Sequence, residues 1–177
     1  DGMGFLAQAG FDANKIVGAM PGTLNLAAAA SLGLGESADI VSNIMSGFSL
    51  DAEDLDGAVD VLTKQFTTSN TNLTQLGEAM KFVGPVASSL GVSMEETAAA
   101  IGVLSDAGMQ GGMAGTGFRK VLSTLILKGK DLGLKVKGAN GQLLPFVDIL
   151  QQMEEQGIST ETVMETFGER AGPALLN

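Results

Sequence analysis

The side chains best able to do chemistry in this sequence are carboxylates. Glu95-Glu96 and Glu154-Glu155 are adjacent acid pairs, and two carboxylates facing one another can act as acid and base on a sugar bond. Neighbouring positions on a helix point to different sides, so neither pair forms a facing dyad by itself. A second acid cluster, Asp51, Glu53, Asp54 and Asp56, lacks the alternating ligands, central glycine and closing Glu of a calcium loop. It falls in the first turns of an expected helix, where the backbone dipole favours negative charge. The sequence has no His and no Cys. That removes the commonest general base, the usual transition-metal ligands and any Ser-His-Asp or Cys-His arrangement. Without Trp or Tyr it also lacks the usual sugar-stacking surfaces. The expectation is a protein that is not an enzyme and carries no cofactor and no metal.

Two further clusters stand out. Gly108, Gly111, Gly112, Gly115 and Gly117 crowd one short stretch with Thr116. They show neither a Gly-x-Gly-x-x-Gly register nor the Gly-Lys-Ser/Thr ending of a phosphate loop. Gly108/Gly112 and Gly111/Gly115 instead have the small-x-x-x-small spacing of a close helix crossing. The stretch reads as a structural elbow with almost no side chain, which another backbone can approach. The second cluster is basic: Arg119, Lys120, Lys128, Lys130, Lys135 and Lys137 are six of the ten bases and share their span with Asp131 alone. The plain reading is a set of cations kept in water at helix ends and loops. The sharper reading is a docking patch for an acidic partner.

The elements that position these residues follow from periodicity. Ser93 with Glu96 predicts a capping box, and Met94, Ala98, Ile101 and Leu104 then fall on one helical face. Phe118, Val121, Leu122 and Leu125 do the same beyond the glycines, which predicts a central helical hairpin. Upstream, Gly2–Ala9 reads as the end of a helix. Asp12 caps a short helix, Ala13–Met20, which Pro21-Gly22 should end before an Ala-rich helix over Leu24–Leu32. Further helices are expected over Glu36–Phe48, from Ser49 or Asp51 through Phe66, and over Asn72–Leu90 with a kink at Gly84-Pro85. Downstream, Leu134 and Val136 alternate with lysines before Asn140-Gly141, which predicts a small β-hairpin over residues 134–144. Pro145 then opens a helix with Phe146, Ile149, Leu150 and Met153 on one face. Two short helices, Thr160–Phe167 and Pro173–Leu176, close the chain. Leu32-Gly33-Leu34, Leu90-Gly91-Val92 and Gln156-Gly157-Ile158 repeat one helix stop, with the glycine in the left-handed position.

The fold class is therefore all-α: a compact multi-helix bundle, 1–177 as a single helical domain, with a central hairpin and one small β-hairpin. The sequence starts at Asp1 and ends at Asn177, which suggests a segment excised from a much longer chain. Its 177 residues suffice for one core. A net charge of −10 opposes binding to DNA or to an anionic membrane. Ala87–Ser93 followed by a helix mimics a DNA-reading helix-turn-helix, yet the second helix starts with Glu95-Glu96 and has no Arg, Lys, Asn or Gln for phosphates or bases. Ile16–Gly35 is uncharged and about as long as a membrane span. Pro21-Gly22, Thr23, Asn25 and Ser31 interrupt it, so insertion is not the favoured reading.

Taken in order, several fragments resemble the core region of bacteriophage tail tape measure proteins. Ala9-Gly10-Phe11 precedes Pro21-Gly22 and Leu26-Ala27-Ala28, then Ala38-Asp39-Ile40 and Ser93-x-Glu95-Glu96. Gly108-x-x-Gly111 leads into Ala114-Gly115-Thr116-x-Phe118-Arg119, and Asn140-Gly141 and Phe167-Gly168-x-Arg170-Ala171 follow. Gly117-Phe118 departs from the Ala-Leu expected there. The resemblance implies a structural and assembly role in a long, largely helical virion protein. Such a protein lies inside the tail tube, sets tail length and leaves ahead of the DNA. It also implies partners among tail tube, tail tip or baseplate and chaperone proteins, self-association, no sequence-specific nucleic-acid binding and no catalytic residues. The alternative is a membrane-active helical domain making transient contact with the host envelope.

Overall fold

In the computed structural model, which describes residues 2–8 and 10–176, the chain is a succession of helices closed by tight stops. These are α1 (Gly2–Gln8), α2 (Ala13–Ala30), α3 (Leu34–Phe48), α4 (Leu55–Thr68), α5 (Leu73–Leu90), α6 (Met94–Asp106), α7 (Gly111–Lys128), α8 (Phe146–Glu155) and α9 (Thr160–Leu175). One-turn 3-10 segments precede α4 at Ala52–Asp54 and follow α7 at Gly129–Leu132. Ala9, in the expected first helix and in the Ala9-Gly10-Phe11 fragment, lies outside the described residues, as do Asp1, Asn177 and the side chain of Arg170.

The helices form where apolar residues recur at three and four. Met94, Ala98, Ile101 and Leu104 on α6 and Phe118, Val121, Leu122 and Leu125 on α7 are all buried. A single hydrophobic cluster runs from Leu6 to Ala171. The chain exposes 8749 Å², near the roughly 8,000 Å² of a folded monomer of this mass, so the helices are closely packed and not splayed. Within the bundle α5 is central, lying between α3 and α7; α9 covers α7, and α4 joins α2 to α6.

Helix ends follow the expected chemistry with one exchange. After α5, Gly91 is left-handed (φ 80°), Gly91 N–H donates to Ser88 O and Val92 N–H to Ala87 O. Gly157 closes α8 in the same way, with Ile158 N–H donating to Met153 O. At the end of α2 the left-handed residue is Ser31 (φ 55°), and Gly33 is the extended N-cap of α3. The stop is two residues earlier than expected because Leu32 N–H already reaches back to Ala27 O.

Pro21-Gly22 does not end a helix: α2 continues to Ala30. Proline removes the bond to the carbonyl four residues back, here Val17, and both Val17 and Pro21 are exposed, so water can take that carbonyl. Thr23 is not a helix start; it is buried in mid-helix with its hydroxyl donating to Ala19 O (2.9 Å). Pro85 sits in α5 under the same conditions, with Lys81 and Pro85 both exposed. In α9 the helix breaks at Gly168 (φ 75°, ψ 177°), which separates the two expected terminal helices before Pro173.

The β-hairpin expected over residues 134–144 is absent. The turn forms, with Gly141 at φ 80° and its N–H donating to Gly138 O, but pairing stops at one bridge between Lys137 and Leu143. The next ladder donors are used elsewhere, Leu134 N–H on Gly129 O and Phe146 N–H on the Glu96 carboxylate, and the outward-facing groups are held by other elements. Leu143 N–H donates to Leu90 O at the end of α5 (2.9 Å). Lys135 N–H donates to Gln152 Oε1 (2.8 Å), and Lys135 O accepts from Gln152 Nε2 (3.1 Å) on α8. An isolated two-stranded hairpin is marginal in water, and here the segment instead ties α5 to α8.

Candidate functional site

The glycine elbow is built from two different uses of glycine. Gly108 (φ 88°) supplies the left-handed stop of α6, with Gly108 N–H donating to Ser105 O and Met109 N–H to Leu104 O. Gly115 supplies close approach. A methyl group placed there would stand 2.8 Å from Ala79 Cα on α5 and nearer still to the Ala79 carbonyl oxygen. Between them, Gly111 (φ 54°) and Gly112 lie beneath the Glu78 carboxylate, whose oxygens would meet added methyls at 2.7 and 2.9 Å. Thr116 turns its hydroxyl back onto Gly112 O (2.7 Å) and so reaches nothing beyond its own helix. The backbone admitted by the elbow is therefore that of α5, and α7 rests on α5 more extensively than on its sequence neighbour α6.

A polar clasp fixes the outside of the elbow. Gln110, the N-cap residue of α7, donates through Nε2 to Asn70 O (2.5 Å) and accepts from Gln75 Nε2 (3.2 Å). Asn70 N–H donates to Asp106 Oδ1 (2.6 Å) at the end of α6. These bonds join the loop between α4 and α5 to the turn between α6 and α7. Their members are scattered in the sequence, and only the Asn72–Gln75 capping box beside them carries a local signal.

The six basic residues are all exposed. They do not share one element: Arg119 and Lys120 lie midway along α7, Lys128 at its end, Lys130 on the following 3-10 turn, and Lys135 and Lys137 on the loop to α8. Lys128 Nζ reaches Thr166 O on α9 (3.4 Å). Among the described residues the ion pair is Lys15–Glu53 (4.0 Å), so none of the six cations is neutralised by an acid there.

Of the candidate acids, Glu96, Asp51 and Asp54 serve as helix caps, while Glu95, Glu154 and Glu155 are exposed. Glu96 N–H donates to Ser93 Oγ (3.1 Å), but the Glu96 carboxylate does not return to Ser93 as a capping box requires. It accepts instead from Phe146 N–H, the first residue of α8. Pro145 precedes that helix and offers no side-chain cap, so a carboxylate from fifty residues upstream takes its place. Asp51 and Asp54 form a reciprocal box around the 3-10 turn. Among the described residues no group of three or more His, Cys, Asp or Glu could hold a metal ion. No single described helix is long and apolar enough to cross a membrane; α2 and α3 pass only as a pair bent by 113°.

The sequence is similar to those of known phage tail proteins. The model of the phage-related minor tail protein family matches residues 1–169. The chain is 37% identical, over 86% of its length, to the tape measure protein of Pneumococcus phage Dp-1, and the match covers 14% of that protein. It is 35% identical, over 96% of its length, to the probable tape measure protein of Escherichia phage P2, covering 23% of it. The chain thus spans less than a quarter of either relative. No solved structure matches it.

Proposed function

The chain belongs to the phage-related minor tail protein family, and on that premise we propose that it is a folded, contact-making module of a tail tape measure protein. The observation that carries this reading is the match over residues 1–169 together with two relatives of that name. In this reading the whole protein lies inside the growing tail, sets its length and leaves ahead of the DNA. The module contributes protein–protein contacts and no bond-making chemistry. Its partners are the tail tube, the tip or baseplate and the tail chaperones, with self-association between copies. The exposed, unneutralised cations from Arg119 to Lys137 are suited to an acidic surface on one of these partners.

The packing supports a module and not a stretch of ruler. A ruler must be extended, at about 1.5 Å per helical residue, whereas these helices fold back on α5 around backbone contacts such as Gly115 on Ala79. The test is in-frame removal of residues 1–169 from the full chain in its phage, followed by electron microscopy of the tails. Failed or aberrant tail assembly is expected. Normal tails and undiminished infectivity would contradict the assignment.

A further inference from the structure

An open apolar groove of about 400 Å³ lies between α6, α8 and the end of α9. Its floor is the edge-to-face pair Phe118–Phe146, with ring centroids 5.1 Å apart and planes at 82°. Its walls carry large apolar side chains left in water: Val103 is 52% exposed and Val147 55%, with Leu150 also exposed. Burying such side chains is favourable, so the groove is matched to an apolar occupant.

On its two helical walls, α6 and α8, the charge is of one sign. On α6 the exposed row is Glu95–Ala99–Val103–Asp106, and on α8 it is Val147–Leu150–Glu154, so acids stand at the ends of both apolar rows. Neither helix contains a lysine or arginine. Glu96 also lines the groove, and its carboxylate already serves Phe146 N–H. Both walls are helices and present no strand edge, so an extended peptide would find no ladder to pair with. Recognition has to run through side chains, as when a helix lays its apolar face in a groove.

We propose that this groove docks an amphipathic α-helix of a partner, with an apolar stripe flanked by lysine or arginine. The inference uses the groove alone and stands whether or not the tail assignment does. The probe is a synthetic Leu/Lys amphipathic helix of about four turns, matched to the length of α6. Its controls are a scrambled peptide of identical charge and a Leu/Glu helix of the same pattern. Binding to the whole chain is followed by fluorescence anisotropy and by methyl NMR. Val103→Ser and Leu150→Ser serve as groove variants, since both positions are exposed and circular dichroism can verify their fold.

The Leu/Lys helix should bind and shift methyl signals of Val103, Val147 and Leu150. The scrambled and Leu/Glu peptides, and the groove variants, should each bind at least about tenfold more weakly. Equal binding of the scrambled peptide would mean bulk charge attraction only and would overturn the proposal. So would shifts confined to other surfaces, or a groove-dependent dimer seen by sedimentation, which would make a second copy the occupant.

Discussion

Gly115 on α7 lies directly against the backbone of Ala79 on α5, so closely that the site has no room for a methyl group. Ala79 is fully buried and α5 runs through the centre of the bundle. The two main chains meet with no side chain between them, and every helix that rests on α7 inherits that spacing.

The elbow glycines should therefore differ sharply on replacement by alanine. Gly115→Ala collides with backbone, which cannot rotate aside, and should cost about 3 kcal/mol. Gly108→Ala meets nothing but must hold a left-handed angle, at about 1 kcal/mol. Gly112→Ala meets only the far ends of Glu78 and Phe82 and should be nearly silent. Urea unfolding of the three variants checks the order. Equal midpoints for Gly115→Ala and Gly112→Ala would remove the α5–α7 backbone contact from the account.

The adjacent acids Glu95 and Glu96 should separate in the same assay. Glu96→Ala uncaps α8 by leaving Phe146 N–H without its acceptor, a loss of about 1–2 kcal/mol. Glu96→Gln keeps an acceptor oxygen and should lose less. Glu95→Ala, at an exposed position one residue away, should change stability by under about 0.5 kcal/mol.

Amide exchange should distinguish the observed loop from a hairpin. Leu143 N–H is bonded to Leu90 O and should be protected, whereas a free-standing hairpin would leave it facing water. Gln152→Ala should speed exchange at Lys135 by roughly tenfold, since its N–H has lost an acceptor worth about 1.4 kcal/mol. Unchanged exchange at Lys135 would mean that α8 does not hold this segment.

Much of this fold is legible in the sequence because helices are local. The three-and-four spacing of Met94 to Leu104 and of Phe118 to Leu125 marks the buried faces, and Asp12, Asn72 and Ser159 announce helix starts by capping their own first turns. The clustered glycines are legible as a point of close approach, but not the helix that approaches. Ala79 and Gly115 are thirty-six positions apart, and nothing in either neighbourhood names the other. Three misreadings share that cause. Pro21 is tolerated because it faces water, which depends on how the helix is oriented in the bundle. Glu96 abandons Ser93 for a helix fifty residues on. Asn140-Gly141 does make a turn, yet the flanking backbone is drawn to Leu90 and Gln152. The basic residues are legible as exposed cations and not as one surface, since they are spread over a helix, a 3-10 turn and a loop.

The most direct test of a compact module within a tape measure protein is the length of the tail when this segment is duplicated in frame. Its 177 residues would measure about 270 Å if laid end to end as helix. Electron micrographs should show tails lengthened by far less than that, because a second copy folds beside its own central helix. Tails longer by the full helical length would show that the segment is drawn out as ruler, and would contradict the account.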